Sequence, residues 1–238
     1  MDQVLPILLL PLPVLGATTM MLALRPGWRR IIPVASPVLL AMSCVVAAFW
    51  VLAVLGVGMA SVDSGAGWPV ILMLTVTTTA AGAAAFGGEK WLSVRWGPGR
   101  APAANSIGAL PASLAFVQMP SRDESFRAVR AMAANPAQFT FLTVLTVAAE
   151  EFLYRYVILL VCVPAGLDLL AGLALQTVLY SLNHIAFGIP ALIGKLGFGL
   201  VLGAGTLLSG SVIPALVAHL CYQLLVARQF RTRSVQRA

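Results

Sequence analysis

The chain has 238 residues, of which 60% are hydrophobic and only 10% charged, with a formal net charge of +7 and a mean hydropathy of +0.94. A soluble domain carries roughly 25% charged residues, and a chain of this size has too much surface for its volume to bury so much apolar side chain. These values exclude a soluble globular domain and predict an all-α, polytopic membrane bundle.

In chain order, the N-terminal stretch begins with an acidic Asp2 and remains apolar to Leu24. A secretory signal would begin basic and end at a small-residue cleavage site, so a retained span is expected over 4–24. Apolar runs of about 20 residues, the length a bilayer core requires, predict six more spans over 33–60, 68–87, 137–163, 167–187, 190–208 and 211–227. The last four are joined by short Pro/Gly turns at 164–166, 188–190 and 209–211, which makes them antiparallel neighbours. The expected organisation is three spans and a connection over 1–135, a four-helix core over 136–228, and a basic tail over 229–238.

The basic residues outside the expected spans fall into three groups: Arg25, Arg29 and Arg30; Lys90, Arg95, Arg100, Arg122, Arg127 and Arg130; and Arg228, Arg231, Arg233 and Arg237. Asp2, Asp63 and Asp168 fall on the opposite side. Basic loops stay cytoplasmic, so the N-terminus is expected outside, the C-terminus inside, and the location a multi-pass cell inner (cytoplasmic) membrane. This asymmetry accounts for the positive charge without a nucleic-acid partner. In the long connection over 88–135, the segment 105–119 is apolar but interrupted by Pro111, and Ser121 with Glu124 resembles a capping box opening a short amphipathic helix. Cys44, Cys162 and Cys221 all lie in apolar runs and read as small buried hydrophobes.

Ionisable residues inside spans carry the functional information, because each costs about 2.5–3.5 kcal/mol at a helix centre. The fourth span holds Glu150, Glu151 and Arg155, the fifth His184, the sixth Lys195 and the seventh His219. Glu151 and Arg155 are four apart with the acid first, the favourable order for a pair on one helix face. Glu150 is rotated away from Arg155 on an α-helical wheel, which leaves it without a local counter-charge and suits it to act as a general base. Tyr180 sits one turn before His184, and Gln223 one turn after His219; an imidazole and an amide on one face are two donors of the kind an oxyanion needs. A Glu–Arg pair is also common interhelical glue, and a lone intramembrane His is commonly a packing residue. The chain has only two histidines, and the location of both in spans, beside an uncompensated Glu, favours a site. Lys195, near a span end, reads as a snorkelling residue.

These residues resemble the CPBP family of CAAX-protease and bacteriocin-processing (Abi) intramembrane peptidases. Glu150, Glu151 and Arg155 match its EExxxR motif; Tyr180 and His184 match FxxxH with Tyr for Phe; Gly210, Ser211, Pro214 and His219 match its last helix, with Gln223 where Asn or Asp is usual. The resemblance covers roughly 137–227. It implies a glutamic endopeptidase acting on a membrane-anchored protein or peptide, with the myxosortase type, which removes C-terminal sorting tails, as one form. Glu150 would activate water, His184 would position it or shuttle the proton, His219 and Gln223 would stabilise the oxyanion, and Glu151 and Arg155 would hold the helix in register. No cofactor is expected: two His and a Glu could ligate zinc, but there is no HExxH motif. The alternative is a non-catalytic scaffold, immunity factor or transporter that uses the buried charges as a proton relay.

Overall fold

The computed structural model describes residues 32–56, 66–95, 135–184 and 189–235. The expected first span over 4–24, the segment 105–119 and the Ser121 capping box lie outside them. The described residues form six α-helices and one π-helix, with no strand among them: α1 (Ile32–Leu55), α2 (Trp68–Arg95), α3 (Pro136–Glu151) running directly into the π-helix (Phe152–Cys162), α4 (Leu169–Leu182), α5 (Ile189–Ser209) and α6 (Ile213–Val235).

Local chemistry sets several of these boundaries. Asn135 caps α3, its side chain accepting the Gln138 amide at 3.2 Å, with Pro136 at the first helical position, where its missing N–H costs nothing. Asp168 caps α4 by accepting the Ala171 amide at 2.9 Å. The turn before it is closed by Leu167 donating to the Cys162 carbonyl, and Gly166 adopts φ 112°, a backbone state that favours glycine. Between α5 and α6, Gly210 has φ 63°, and the Ser211 hydroxyl accepts the Ile213 amide.

Among the described residues, three helices are long and apolar enough to cross a bilayer: Pro37–Leu55, Trp68–Leu92 and Pro190–Ser209. Leu169–Leu182 and Ile213–Arg228 are shorter apolar stretches. Some bounds differ from the sequence expectation. The helix expected to stop at 87 continues to Arg95, because α2 packs along both α5 and α6. Within the described part of the span expected over 167–187, the helix runs over Leu169–Leu182, and His184 donates its amide to the Ser181 carbonyl at its end. The tail expected from 229 begins as the continuation of α6 to Val235.

The π-helix and α3 occupy the middle, contacting α1, α4, α5 and α6 between them. The bundle is apolar outside and partly polar inside. Met42, Val46, Phe49 and Trp50 on α1 and Leu72, Met73 and Val76 on α2 are exposed, whereas Glu150, Glu151, Arg155, Gln176 and His219 are buried. Water would penalise that distribution and hydrocarbon favours it. Trp68 and Trp91, both exposed on α2, are separated by about 35 Å of helix at 1.5 Å per residue, close to the spacing of the two interfaces where tryptophan concentrates.

Candidate active site

The site forms where the α3–π junction meets α6. A π-helix inside an α-helical run frequently marks a functional position; here it begins at Phe152, one residue after the paired glutamates. Its wider turn means that the α-helical wheel does not apply beyond Glu151. The spacing argument survives for the pair itself: Arg155 Nε lies 3.3 Å from Glu151 Oε2. The guanidinium is wholly buried and stands 4.5 Å from the centre of the Tyr180 ring, whose face attracts a desolvated cation. Among the described residues, Arg155 Nη1 and Nη2 have no hydrogen-bond partner.

Glu151 has a second function that helix spacing could not reveal. Its Oε1 lies 2.8 Å from His219 Nδ1. A carboxylate only accepts, so Nδ1 carries the proton and donates it to Glu151. This sets the tautomer and turns Nε2 toward the rest of the site. Nε2 stands 3.8 Å from Glu150 Oε2, 3.3 Å from the Tyr180 hydroxyl and 3.4 Å from Gln223 Nε2. Glu150 is 2% exposed, and its Oε1 has no hydrogen-bond partner among the described residues. Glu150, Glu151, Arg155, Tyr180 and His219, all buried, and the half-buried Gln223 thus share one cluster drawn from three segments.

His184 occupies the end of α4. Its Nδ1 is 3.0 Å from the Tyr180 carbonyl and its ring centre 5.1 Å from the Tyr180 ring. The Tyr180 ring also meets His219 edge to face at 5.5 Å, so both imidazoles border the same aromatic side chain. Next to His184, Asn183 donates to the Tyr154 hydroxyl at 2.6 Å.

Sequence reasoning missed several polar neighbours. Gln176 is fully buried and donates to the Gly199 carbonyl at 3.1 Å. Tyr222 donates to Glu89, which the sequence had placed in a loop. Lys195 corrects its own reading: it is 4% exposed, with Nζ 3.5 Å from the centre of the Tyr222 ring. The ammonium lies over an aromatic face and does not reach outward, because Tyr222 provides a cation site within the bundle. One signal was available, since Tyr222 falls on the same helical face as His219 and Gln223.

Among the described residues, no group of three or more His, Cys, Asp or Glu side chains is arranged to hold a metal ion. Cys44 and Cys162 are buried free thiols.

A family model described as type II CAAX prenyl endopeptidase Rce1-like matches residues 133–225. The matched segment begins just before α3 and ends in α6, so it contains every residue of the cluster. Over residues 133–225 the chain is similar to the Rce1-like family. This similarity supports a membrane protease of the CAAX type in general. No curated protein and no solved structure matches the chain. The Rce1-like segment also holds Lys195, Gln176 and Tyr222, while Glu89 lies outside it on α2.

Proposed function

We propose that the protein is an intramembrane glutamic endopeptidase that hydrolyses a peptide bond in a membrane-associated protein or peptide, removing a C-terminal sorting or anchoring tail. The observation that carries this reading is the Glu150–His219–Glu151 alignment: one buried carboxylate on each side of a single imidazole, in a segment of a protease family.

In this mechanism Glu150 takes a proton from water, and the resulting hydroxide attacks the scissile carbonyl carbon. The developing oxyanion is met by donors on α6, the Gln223 amide and His219 Nε2–H, the imidazole having taken a proton at Nε2 from solvent before water attacks and keeping it through the cycle. Glu151 at Nδ1 stabilises the imidazolium, as an acid behind a histidine does in hydrolytic triads. Collapse of the tetrahedral adduct breaks the C–N bond, and the proton held by Glu150 passes to the leaving amine. His184, against the same Tyr180 ring, borders the path of water and proton. Arg155 holds Glu151 in register.

The proposed setting is the cell inner membrane, crossed seven times, with the N-terminus outside and the C-terminus cytoplasmic. The three basic clusters and the two-tryptophan spacing of α2 support this placement.

The test uses the full chain in lipid nanodiscs with an internally quenched, farnesylated peptide bearing a CAAX-type tail, beside a second peptide with an unprenylated apolar tail and basic end. Cleavage of either is expected to persist in chelator and to fall at least about a hundredfold in Glu150→Ala. Persistent cleavage by that variant removes Glu150 as the base. Loss of cleavage in chelator, restored by zinc, replaces the glutamic mechanism with a metal one.

A further inference from the structure

A second polar cluster lies beside the first, where α2, α5 and α6 meet. Tyr222 donates its hydroxyl proton to Glu89 Oε2 on α2. Its ring stacks on Phe198 of α5, with centres 4.8 Å apart and planes inclined by 23°. Lys195, one turn before Phe198 on α5, places its Nζ 3.5 Å from the centre of the same ring. Phe198 in turn meets the His219 ring edge to face at 5.8 Å. Tyr222 therefore has a carboxylate at its hydroxyl and an ammonium over its face, each held by a different helix.

The three groups support one another. A cation over the ring draws electron density from the phenol and makes its O–H a better donor to Glu89. The Glu89 carboxylate supplies the negative charge that an ammonium removed from water requires. Their approach depends on Gly194: a Cβ there would stand 3.0 Å from Glu89 Cβ and 3.1 Å from Glu89 Oε2. The packing of α5 on α2 has thus been left open at the position where Glu89 must reach Tyr222.

Residues 219, 222 and 223 share one face of α6, being three and four apart. Holding Tyr222 against two other helices therefore determines how α6 is rotated, and that rotation sets the direction of His219 and Gln223. We infer that Glu89, Tyr222 and Lys195 form a positioning clamp that locks the rotation of α6 and keeps His219 Nε2 and Gln223 turned toward Glu150. Tyr222 and Glu89 act on the site through this rotation, and the charge of Lys195 also reaches Glu150 and His219. The kinetic part of the inference rests on the hydrolase reading; the structural part does not.

The chain has two histidines, so 15N-histidine labelling of the full protein in nanodiscs reports two imidazoles, assigned with a His184→Gln variant. Tyr222→Phe keeps the ring but removes its hydroxyl, and Lys195→Met removes the charge at similar length. Both are expected to shift the His219 ring nitrogens. Glu89→Gln, which keeps an acceptor, is expected to restore most of the signal lost in Glu89→Ala. Using whichever peptide the wild type cleaves, Tyr222→Phe should lower kcat roughly tenfold to a hundredfold, the scale expected of a small misplacement of a catalytic group, with KM within about twofold. If Tyr222→Phe does not fold, Gly194→Ala displaces Glu89 by a few tenths of an ångström and is expected to move the same His219 signals in the same direction. An unchanged His219 spectrum, an unchanged kcat, or equal effects of Glu89→Gln and Glu89→Ala overturns the clamp. If wild type cleaves neither peptide, the hydrolase reading loses its support and the spectra alone decide the clamp.

Discussion

Two seams hold this bundle together by opposite means. Along α5 the contacts are made by leaving side chains out. A Cβ on Gly205 would come within 2.8 Å of Thr78 Oγ1 on α2, and one on Gly203 within 2.4 Å of Gln176 Nε2 on α4. Where α3 and the π-helix meet α6, the contact is made by charge: Arg155, Glu151, His219 and Glu150 follow one another at 3.3, 2.8 and 3.8 Å. Hydrocarbon offers no hydrophobic drive between helices, so association depends on close packing and interhelical polar contacts. The glycine seam uses the first and the glutamate seam the second. The comparison teaches that damage to the glycine seam should appear in stability, and damage to the glutamate seam in chemistry.

The sharpest separation comes from Glu150→Gln. It is nearly isosteric and alters neither the Glu151 bond to His219 nor the glycine contacts, so activity should fall by roughly 10²–10⁴-fold with unfolding in denaturant unchanged. Glu151→Gln tests whether the charged seam also carries stability. Removing one partner of a buried pair leaves Arg155 uncompensated, a loss of about 3–5 kcal/mol. The double variant Glu151→Gln/Arg155→Met should regain much of that stability but none of the activity, because His219 still lacks its carboxylate. Recovery of activity by the double variant would contradict the orienting role given to Glu151. On the other seam, Gly203→Ala forces a methyl onto Gln176 and Leu173 and should cost about 1–3 kcal/mol, with turnover per folded molecule within a few fold of wild type. The smallest effect has the opposite sign. Gly87 on α2 has open space around a Cβ, so Gly87→Ala should raise stability by about 0.5–1 kcal/mol through backbone entropy.

Much of the site was legible before any coordinates. The Glu151–Arg155 pair follows from helix geometry, and the grouping of Glu150, Tyr180, His219 and Gln223 follows from the cost of placing polar groups in apolar helices. Glu89 was not legible, because the expected span stops at 87 and leaves it in the connection, whereas packing on α5 and α6 carries α2 on to Arg95. Lys195 read as a snorkelling residue because its sequence position lies near a span end. Only the placement of Tyr222 from another helix shows where its ammonium lies. The π-helix has no signature in the residues that form it, and it alters the wheel on which Glu150 and Arg155 had been separated.

By itself the sequence determined that the chain is apolar and helical, that its few buried charges are concentrated in the last four helical segments, and which acid has a basic partner on its own helix. These are properties of composition and of spacing within one helix, where neighbours are set by the backbone. The tertiary structure alone decided that Glu151 orients His219 across 68 residues of chain, and that Glu89 and Lys195 converge on Tyr222. Such contacts depend on how helices rotate and approach one another, and that is settled by side chains far apart in the chain packing together.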